Sequence, residues 1–122
     1  MELKQTRNAD IVIVAVSGRV DHGNADQFRV LLWPMLASCA AGRDRLVLDL
    51  SGLEYISSAC LRVLMLASRE VKTRDGMLLV CGLQTVVREI FEISRFNIVF
   101  RVLPDQSAAM AELRAAAAPA RA

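Results

Sequence analysis

The chain has 122 residues, 54% of them hydrophobic, and a formal net charge of +2 at pH 7. This length indicates one domain with its own core, and the scattered basic residues argue against a nucleic-acid partner. The apolar runs are far shorter than the ~20 residues of a membrane span and no signal peptide opens the chain, so we expect a cytoplasmic protein without membrane insertion.

The chain opens with two predicted strands. Leu3–Arg7 is a short first strand, and Ile11–Val16, which is rich in β-branched residues, is a second one. The residues between them, Asn8–Asp10, favour a tight turn. We therefore predict an antiparallel hairpin.

A helix is predicted after a polar loop. Asp21–Asn24 forms the loop, and Asn24 is the expected N-cap of the helix. Apolar residues then recur at helical spacing to about Ala41, and Gly42 suits the left-handed residue beyond a helix end. Pro34 removes one backbone hydrogen bond, so we predict a kink there.

The middle of the chain holds the most informative segment. Arg45–Leu50 contains an apolar run of the kind that a strand buried on both faces requires. Ser51 and Gly52 are predicted to form a turn after it. Ser58–Arg74 then carries an apolar stripe at helical spacing and is predicted to be the second helix.

The last third continues the alternation of strands and helices. Its predicted elements are a strand over Met77–Cys81, a helix over Thr85–Ser94, a strand over Ile98–Val102 and a helix from Pro104 and Asp105 to about Ala115. We expect residues 1–115 to form the domain and the alanine-rich residues 116–122 to form a flexible tail. The order ββαβαβαβα predicts an α/β fold: a mixed sheet of about five strands, parallel at its centre, with about four helices.

Candidate functional groups gather at one edge of this sheet. In α/β sheets such groups lie at the carboxyl ends of the strands. There the chain places Asp21 after the second strand, and Ser57 and Ser58 where the second helix begins. A helix N-terminus favours a phosphate, so we predict a phosphorylation switch or a contact site. In the alternative structural interpretation, Ser57 is an N-cap and Asp21 satisfies its own turn.

Catalysis and metal binding have little support in the sequence. Cys39, Cys60 and Cys81 form no CxxC motif, and we expect three reduced, mostly buried thiols. His22 is the single histidine and has no evident second ligand or acidic partner. Neither a GxSxG motif nor a glycine-rich phosphate loop is present. We expect neither an enzyme nor a cofactor.

Three segments together resemble a known family. They are GRVDHGNADQFRVLL, LVLDLSGLEYISSACLRVL and MLLVCGLQTVVREIFEISRF, at residues 18–32, 46–64 and 77–96. In this order they resemble the STAS domain of bacterial anti-sigma factor antagonists. The resemblance implies a cytosolic protein of a partner-switching circuit, which binds a GHKL-type anti-sigma factor kinase and frees its sigma factor. It also implies that phosphorylation of a serine at the start of helix two blocks binding and that a PP2C-type phosphatase restores it.

The family motif Asp-Ser-Ser-Gly-Leu falls on residues 57–61, which read Ser-Ser-Ala-Cys-Leu here. The usual phospho-acceptor position is Ala59, so either a neighbouring hydroxyl serves, with Ser58 preferred over Ser57, or the protein binds independently of phosphorylation. The partner-binding residues that the resemblance implies are Asp21, Asn24, Tyr55, Ser57, Ser58, Ala59 and Arg62. The alternative function is a non-catalytic STAS accessory subunit of a larger assembly, such as a lipid-transport complex.

Overall fold

A computed structural model describes residues 1–117 of the chain. Its elements are β1 (Glu2–Asn8), β2 (Ile11–Val20), α1 (Ala25–Leu36), β3 (Arg45–Ile56), α2 (Ser58–Thr73), β4 (Leu78–Cys81), α3 (Thr85–Ile93), α4 (Phe96–Val99), β5 (Val102–Leu103) and α5 (Gln106–Ala117). The five strands form one sheet in the order β1-β2-β3-β4-β5. β1 and β2 are antiparallel, and each later neighbouring pair is parallel. The predicted α/β fold class is confirmed.

The two faces of the sheet are covered by different helices. Side chains alternate between the faces along each strand, so one set packs under α1–α4 and the other under α5. The first core includes Val12, Val14, Leu46, Leu48, Phe28, Leu32, Leu64 and Phe91. The second core includes Ile11, Ile13, Val47, Leu79, Leu103, Ala109 and Leu113. Both faces of the central strands are therefore buried, as the apolar runs predict.

The predicted turn at Ser51 and Gly52 is wrong, because β3 continues through these residues to Ile56, with a register shift against β2 between Asp49 and Gly52. Gly52 pairs with Ser17 of β2, which itself continues past the predicted end of its strand to Val20. A Cβ at residue 52 would lie 2.9 Å from the Cβ of Ser17. The glycine therefore permits a close approach of two strands and does not mark a turn.

A buried carboxylate in β3 connects the sheet to α5. Asp49 is only 8% exposed, and its Oδ2 accepts a hydrogen bond of 2.5 Å from Gln106 Nε2 at the start of α5. Its Oδ1 accepts one of 3.0 Å from the backbone N–H of Ser51. Both oxygens thus have partners, which is what a buried carboxylate requires.

Helix α1 is shorter than predicted, since it ends at Leu36 and not near Ala41. Its end is tightened by short-range bonds: the N–H of Ala37 bonds the Pro34 carbonyl, and the N–H of Cys39 bonds the Leu36 carbonyl. Cys39 then forms a single parallel bridge with Asp44. Of the apolar residues after Leu36, Cys39 is therefore buried by a loop that leads into the sheet, whereas Ala37 and Ala41 are exposed.

The predicted strand over Ile98–Val102 is also wrong. The structure has the one-turn helix α4 there, and β5 contains only Val102 and Leu103. Phe96 and Phe100 pack their rings against Phe91 of α3, at centroid distances of 5.9 and 6.2 Å. The contact buries Phe96 and Phe100 in the core with Phe91, whereas Ile98 and Val99 between them are exposed.

The three thiols are buried, as predicted, and none of them forms a disulfide with another residue of the described chain. Burial raises the pKa of Cys60 to about 12, and burial together with the nearby carboxylates of Asp49 and Asp105 does the same for Cys81. Thiols with such pKa values are neutral and unreactive at physiological pH.

Acid should weaken one ion-pair cluster at the other end of the sheet. The guanidinium of Arg7 donates two hydrogen bonds of 2.8 Å to the Asp44 carboxylate, which also accepts one from Ser38 Oγ. These bonds, that of Arg7 most strongly, lower the pKa of Asp44 to about 2. An unfolded Asp titrates near ~3.9, so the stabilisation is complete above about pH 4 and is lost as the pH falls toward about 2.

We expect Asp44→Asn to flatten the fall in the free energy of unfolding between about pH 4 and about pH 2. Urea titrations of both proteins at several pH values measure this difference. Parallel pH profiles for the two proteins would show that Asp44 contributes nothing to acid sensitivity.

Within residues 1–117, no helix is both long and apolar enough to cross a membrane.

Helix α5 begins where Asp105 Oδ1 accepts a hydrogen bond of 2.9 Å from the N–H of Ala108, as an N-cap does. The helix continues through residue 117. The predicted tail concerns mainly residues 118–122, which lie outside the described residues, so the domain boundary stays a prediction.

Candidate functional site

The carboxyl ends of β2 and β3 lie side by side. Val20 pairs with Ile56, and the N–H of Ser57 donates a hydrogen bond of 2.9 Å to the carbonyl of Val20. The loop that starts at Asp21 and the helix that starts at Ser58 therefore leave the sheet from neighbouring positions. This arrangement brings together the two sequence segments that carry the predicted site.

Asp21 and Asn24 hold the first of these loops in shape. Asp21 Oδ1 accepts a hydrogen bond of 2.8 Å from the N–H of Gly23, and the N–H of Asp21 donates one of 2.8 Å to Asn24 Oδ1. Asn24 Nδ2 donates to the carbonyl of Arg19. Asn24 is the N-cap residue of α1, as predicted, but its side chain makes no capping hydrogen bond to the helix, because both its polar atoms are used within the loop. Asp21 is exposed and serves its own turn.

Ser57 and Ser58 differ sharply although they are adjacent. Ser57 is 2% exposed, and its Oγ accepts a hydrogen bond of 3.3 Å from the N–H of Cys60. It is thus the N-cap of α2, as predicted. Ser58 is exposed, and its hydroxyl makes no hydrogen bond to any residue that the structure describes. The geometry leaves one hydroxyl of the pair open to solvent.

A groove of about 380 Å³ runs between α1 and the first turns of α2. Its lining residues are His22, Ala25, Asp26, Arg29, Ser58, Ala59, Arg62, Val63 and Leu66. Three of the predicted partner-binding residues, Ser58, Ala59 and Arg62, share this groove. The other four lie outside its lining.

The groove contains two guanidinium groups. Arg62 follows Ser58 by one turn of α2, and Arg29 projects from α1. Among residues 1–117, no carboxylate oxygen lies within 4.0 Å of a nitrogen of either arginine. The guanidinium of Arg29 lies over the ring of Trp33, 5.2 Å from its centroid. Asp26 supplies one carboxylate to the lining, so the arginines outnumber the acid.

Tyr55 lies on β3 and is half-buried. The guanidinium of Arg19, its pairing neighbour on β2, lies 4.7 Å from the centroid of its ring. Tyr55 therefore contributes to the same sheet edge from a position inside a strand, and Ser57 is the one residue between β3 and α2.

Arg29 and Trp33 were not among the site residues predicted from the sequence. Both lie on α1, for which the sequence predicted only an apolar stripe. Their four-residue spacing indicates that the two side chains contact each other. Their position opposite Ser58 depends on how α1 packs on α2, which no local pattern predicts. Within the described part of the chain, no group of three potential metal ligands occurs.

Replacing Ser57 should cost more stability than replacing Ser58. Loss of an N-cap hydroxyl costs about 0.5–2 kcal/mol, so we expect Ser57→Ala to lower the free energy of unfolding by about that amount. Ser58→Ala, which removes an exposed hydroxyl, should change it by less than about 0.5 kcal/mol. Urea denaturation of both variants gives the comparison, and equal losses would contradict the assigned cap.

Comparison with known proteins places this chain in a family. The STAS domain family model matches residues 2–109. BtrV of Bordetella bronchiseptica, named as a candidate anti-sigma factor antagonist, is 38% identical over 116 residues, which cover 95% of this chain and 97% of BtrV. Two solved structures share the fold: an anti-sigma factor antagonist from Mycobacterium paratuberculosis (TM-score 0.82, 19% identity, 93% of each chain) and phosphorylated SpoIIAA from Bacillus (TM-score 0.65, 14% identity, 92% of this chain and 99% of that one). The family model and the identity to BtrV show that the chain belongs to the STAS domain family.

Proposed function

We propose that the protein is an anti-sigma factor antagonist that acts by partner switching in the cytoplasm. It binds a GHKL-type anti-sigma factor kinase, frees the sigma factor held by that kinase, and catalyses no reaction itself. The similarity to BtrV supports this proposal, because it extends over 95% of this chain and 97% of that protein. The residues at the carboxyl edge of the sheet supply the binding surface, with Asp21, Asn24 and Tyr55 beside the start of α2.

The observation that carries the proposal is the unequal environment of the two serines. Ser57 is buried and bonded to the first turn of α2, whereas Ser58 is exposed at the first residue of that helix. A kinase needs a hydroxyl that can reach the γ-phosphate of ATP, and Ser58 meets this requirement without unfolding the helix. Ala59, at the family's usual acceptor position, offers no hydroxyl.

A phosphate on Ser58 would change the surface without opposing the fold. It would add about −1.5 to −2 charges at the N-terminus of a helix, where the dipole favours negative charge. This charge would repel an acidic partner face, and an apolar partner face would have to remove the phosphate from water. A PP2C-type phosphatase would then restore binding by removing it.

The test is to incubate the protein with its cognate kinase and ATP and to map phosphate by mass spectrometry. We expect phosphate on Ser58, its loss in Ser58→Ala and its retention in Ser57→Ala. Phosphate on Ser57 alone would contradict the assignment of the acceptor.

A pull-down of the kinase in parallel separates binding from the switch. Binding without phosphorylation would support an antagonist and overturn the phosphorylation switch. Neither binding nor phosphorylation would contradict the proposed function and favour the accessory subunit.

A further inference from the structure

We infer that Arg29 and Arg62 bind the phosphate when Ser58 is phosphorylated, so that modification also withdraws two positive charges from the partner surface. The inference deepens the proposed function and rests on its choice of Ser58 as the acceptor. It assigns to α1 and α2 a phosphoserine-binding pair that neither helix supplies alone.

Ser58, Arg62 and Arg29 line the same groove. Ser58 and Arg62 are four residues apart on α2, so their side chains lie on one face of the helix, with Cβ atoms about 5–6 Å apart. Arg29 reaches the same groove from α1. A group attached to the Ser58 oxygen therefore has a guanidinium on the adjacent helical turn and another across the groove.

The groove has more positive than negative side chains in its lining. Four other arginines of residues 1–117 form ion pairs: Arg7 with Asp44, Arg45 with Asp10, Arg74 with Glu70 and Arg101 with Glu112. Arg29 and Arg62 have no such partner within 4.0 Å in the described part of the chain, and their groove holds one carboxylate, that of Asp26, beside the imidazole of His22. The two arginines thus exceed the acidic charge around them.

Two guanidinium groups are well suited to binding a phosphate. A guanidinium presents N–H groups in a planar fork that matches phosphate oxygens, and such charge-assisted bonds are about twice as strong as neutral ones. The stacking of Arg29 on Trp33 restricts the guanidinium before the phosphate arrives. Carboxylates are smaller and carry one charge, so an aspartate at residue 58 would engage the pair less completely than phosphoserine.

Phosphorus-31 NMR of protein with phosphoserine incorporated at residue 58 during translation tests this inference without a kinase. Nearby positive charge favours the phosphate dianion and lowers its second pKa below the ordinary value of about 6. We expect Arg62→Gln and Arg29→Gln each to raise this pKa and the double variant to raise it further. The N-terminal dipole of α2 is common to all these proteins, so the differences report the guanidinium groups.

Arg69→Gln is the matched control. Arg69 is exposed on α2 and lies eleven residues beyond Ser58, about 16 Å along the helix axis, so its removal should leave the phosphate pKa unchanged. Equal pKa values in the parent protein, Arg29→Gln and Arg62→Gln would overturn the inference. A failure of the kinase to modify Ser58 would instead count against the proposed function, because the titration does not use the kinase.

Discussion

Phe91→Ala is expected to lower the free energy of unfolding by about 3–5 kcal/mol. Phe91 is fully buried, and its ring contacts those of Phe96 and Phe100. Its removal leaves a cavity at the point where α3 and α4 join the sheet, and the two remaining rings lose their common neighbour. Urea denaturation measures the loss.

Ile93→Ala is the control for this prediction. Ile93 lies two residues further along α3, yet it is 84% exposed, so truncating it should change the free energy of unfolding by less than about 0.5 kcal/mol. Similar losses in the two variants would show that the aromatic contact does not hold this part of the fold together.

Ser58→Asp is expected to weaken binding to the anti-sigma factor kinase by about 1–3 kcal/mol, or roughly 5- to 150-fold in Kd. The substitution places a carboxylate on the proposed docking edge, where the partner must remove it from water without supplying a matching cation. Calorimetric titration of the kinase with both proteins measures the difference.

Ser107→Asp provides the matched control for Ser58→Asp. Ser107 is also an exposed serine in the first turn of a helix, but it lies on α5, on the opposite face of the sheet. The same chemical change there should leave the affinity unaltered. Equal affinity of the parent protein and Ser58→Asp would exclude this edge as the docking surface.

The order of elements could be predicted from the sequence because the apolar patterns are strong. The run at Leu46–Leu50 predicts a buried strand and the stripe of Ser58–Arg74 predicts a helix, and the structure has both, the helix ending at Thr73. The extension of β3 was missed because Gly52 signals a turn locally. Its function as a point of close approach depends on Ser17, 35 positions away in the chain, and no local rule includes that residue.

The segment around Ile98 shows a second reason why sequence-based prediction failed. A short apolar run fits a strand and a buried helical turn equally well, and the choice depends on tertiary contacts. Here the rings of Phe96 and Phe100 reach Phe91 only if the chain turns between them. Arg95 begins that turn with a left-handed φ of 60°, which a sequence pattern does not predict for an arginine.

Some residues of the candidate site could be predicted from the sequence and others could not. The roles of Ser57 as a cap and Ser58 as an exposed neighbour follow from capping preferences within one helix, and the structure agrees. The side chain of Asn24, by contrast, had two competing sets of partners, and the loop atoms of Asp21 and Arg19 were preferred over the helix. Arg29 could not be assigned to the groove, because its position depends on the packing of α1 against α2.

Displacement of the sigma factor from its kinase tests most directly the proposal that the protein is an anti-sigma factor antagonist. A labelled sigma factor is bound to its anti-sigma factor kinase, the unphosphorylated protein is added, and release is followed by fluorescence anisotropy. We predict dose-dependent release, with Ser58→Asp requiring roughly 5- to 150-fold more protein, in line with its weaker binding. A sigma factor that remains bound while the protein saturates the kinase would contradict its role as an antagonist.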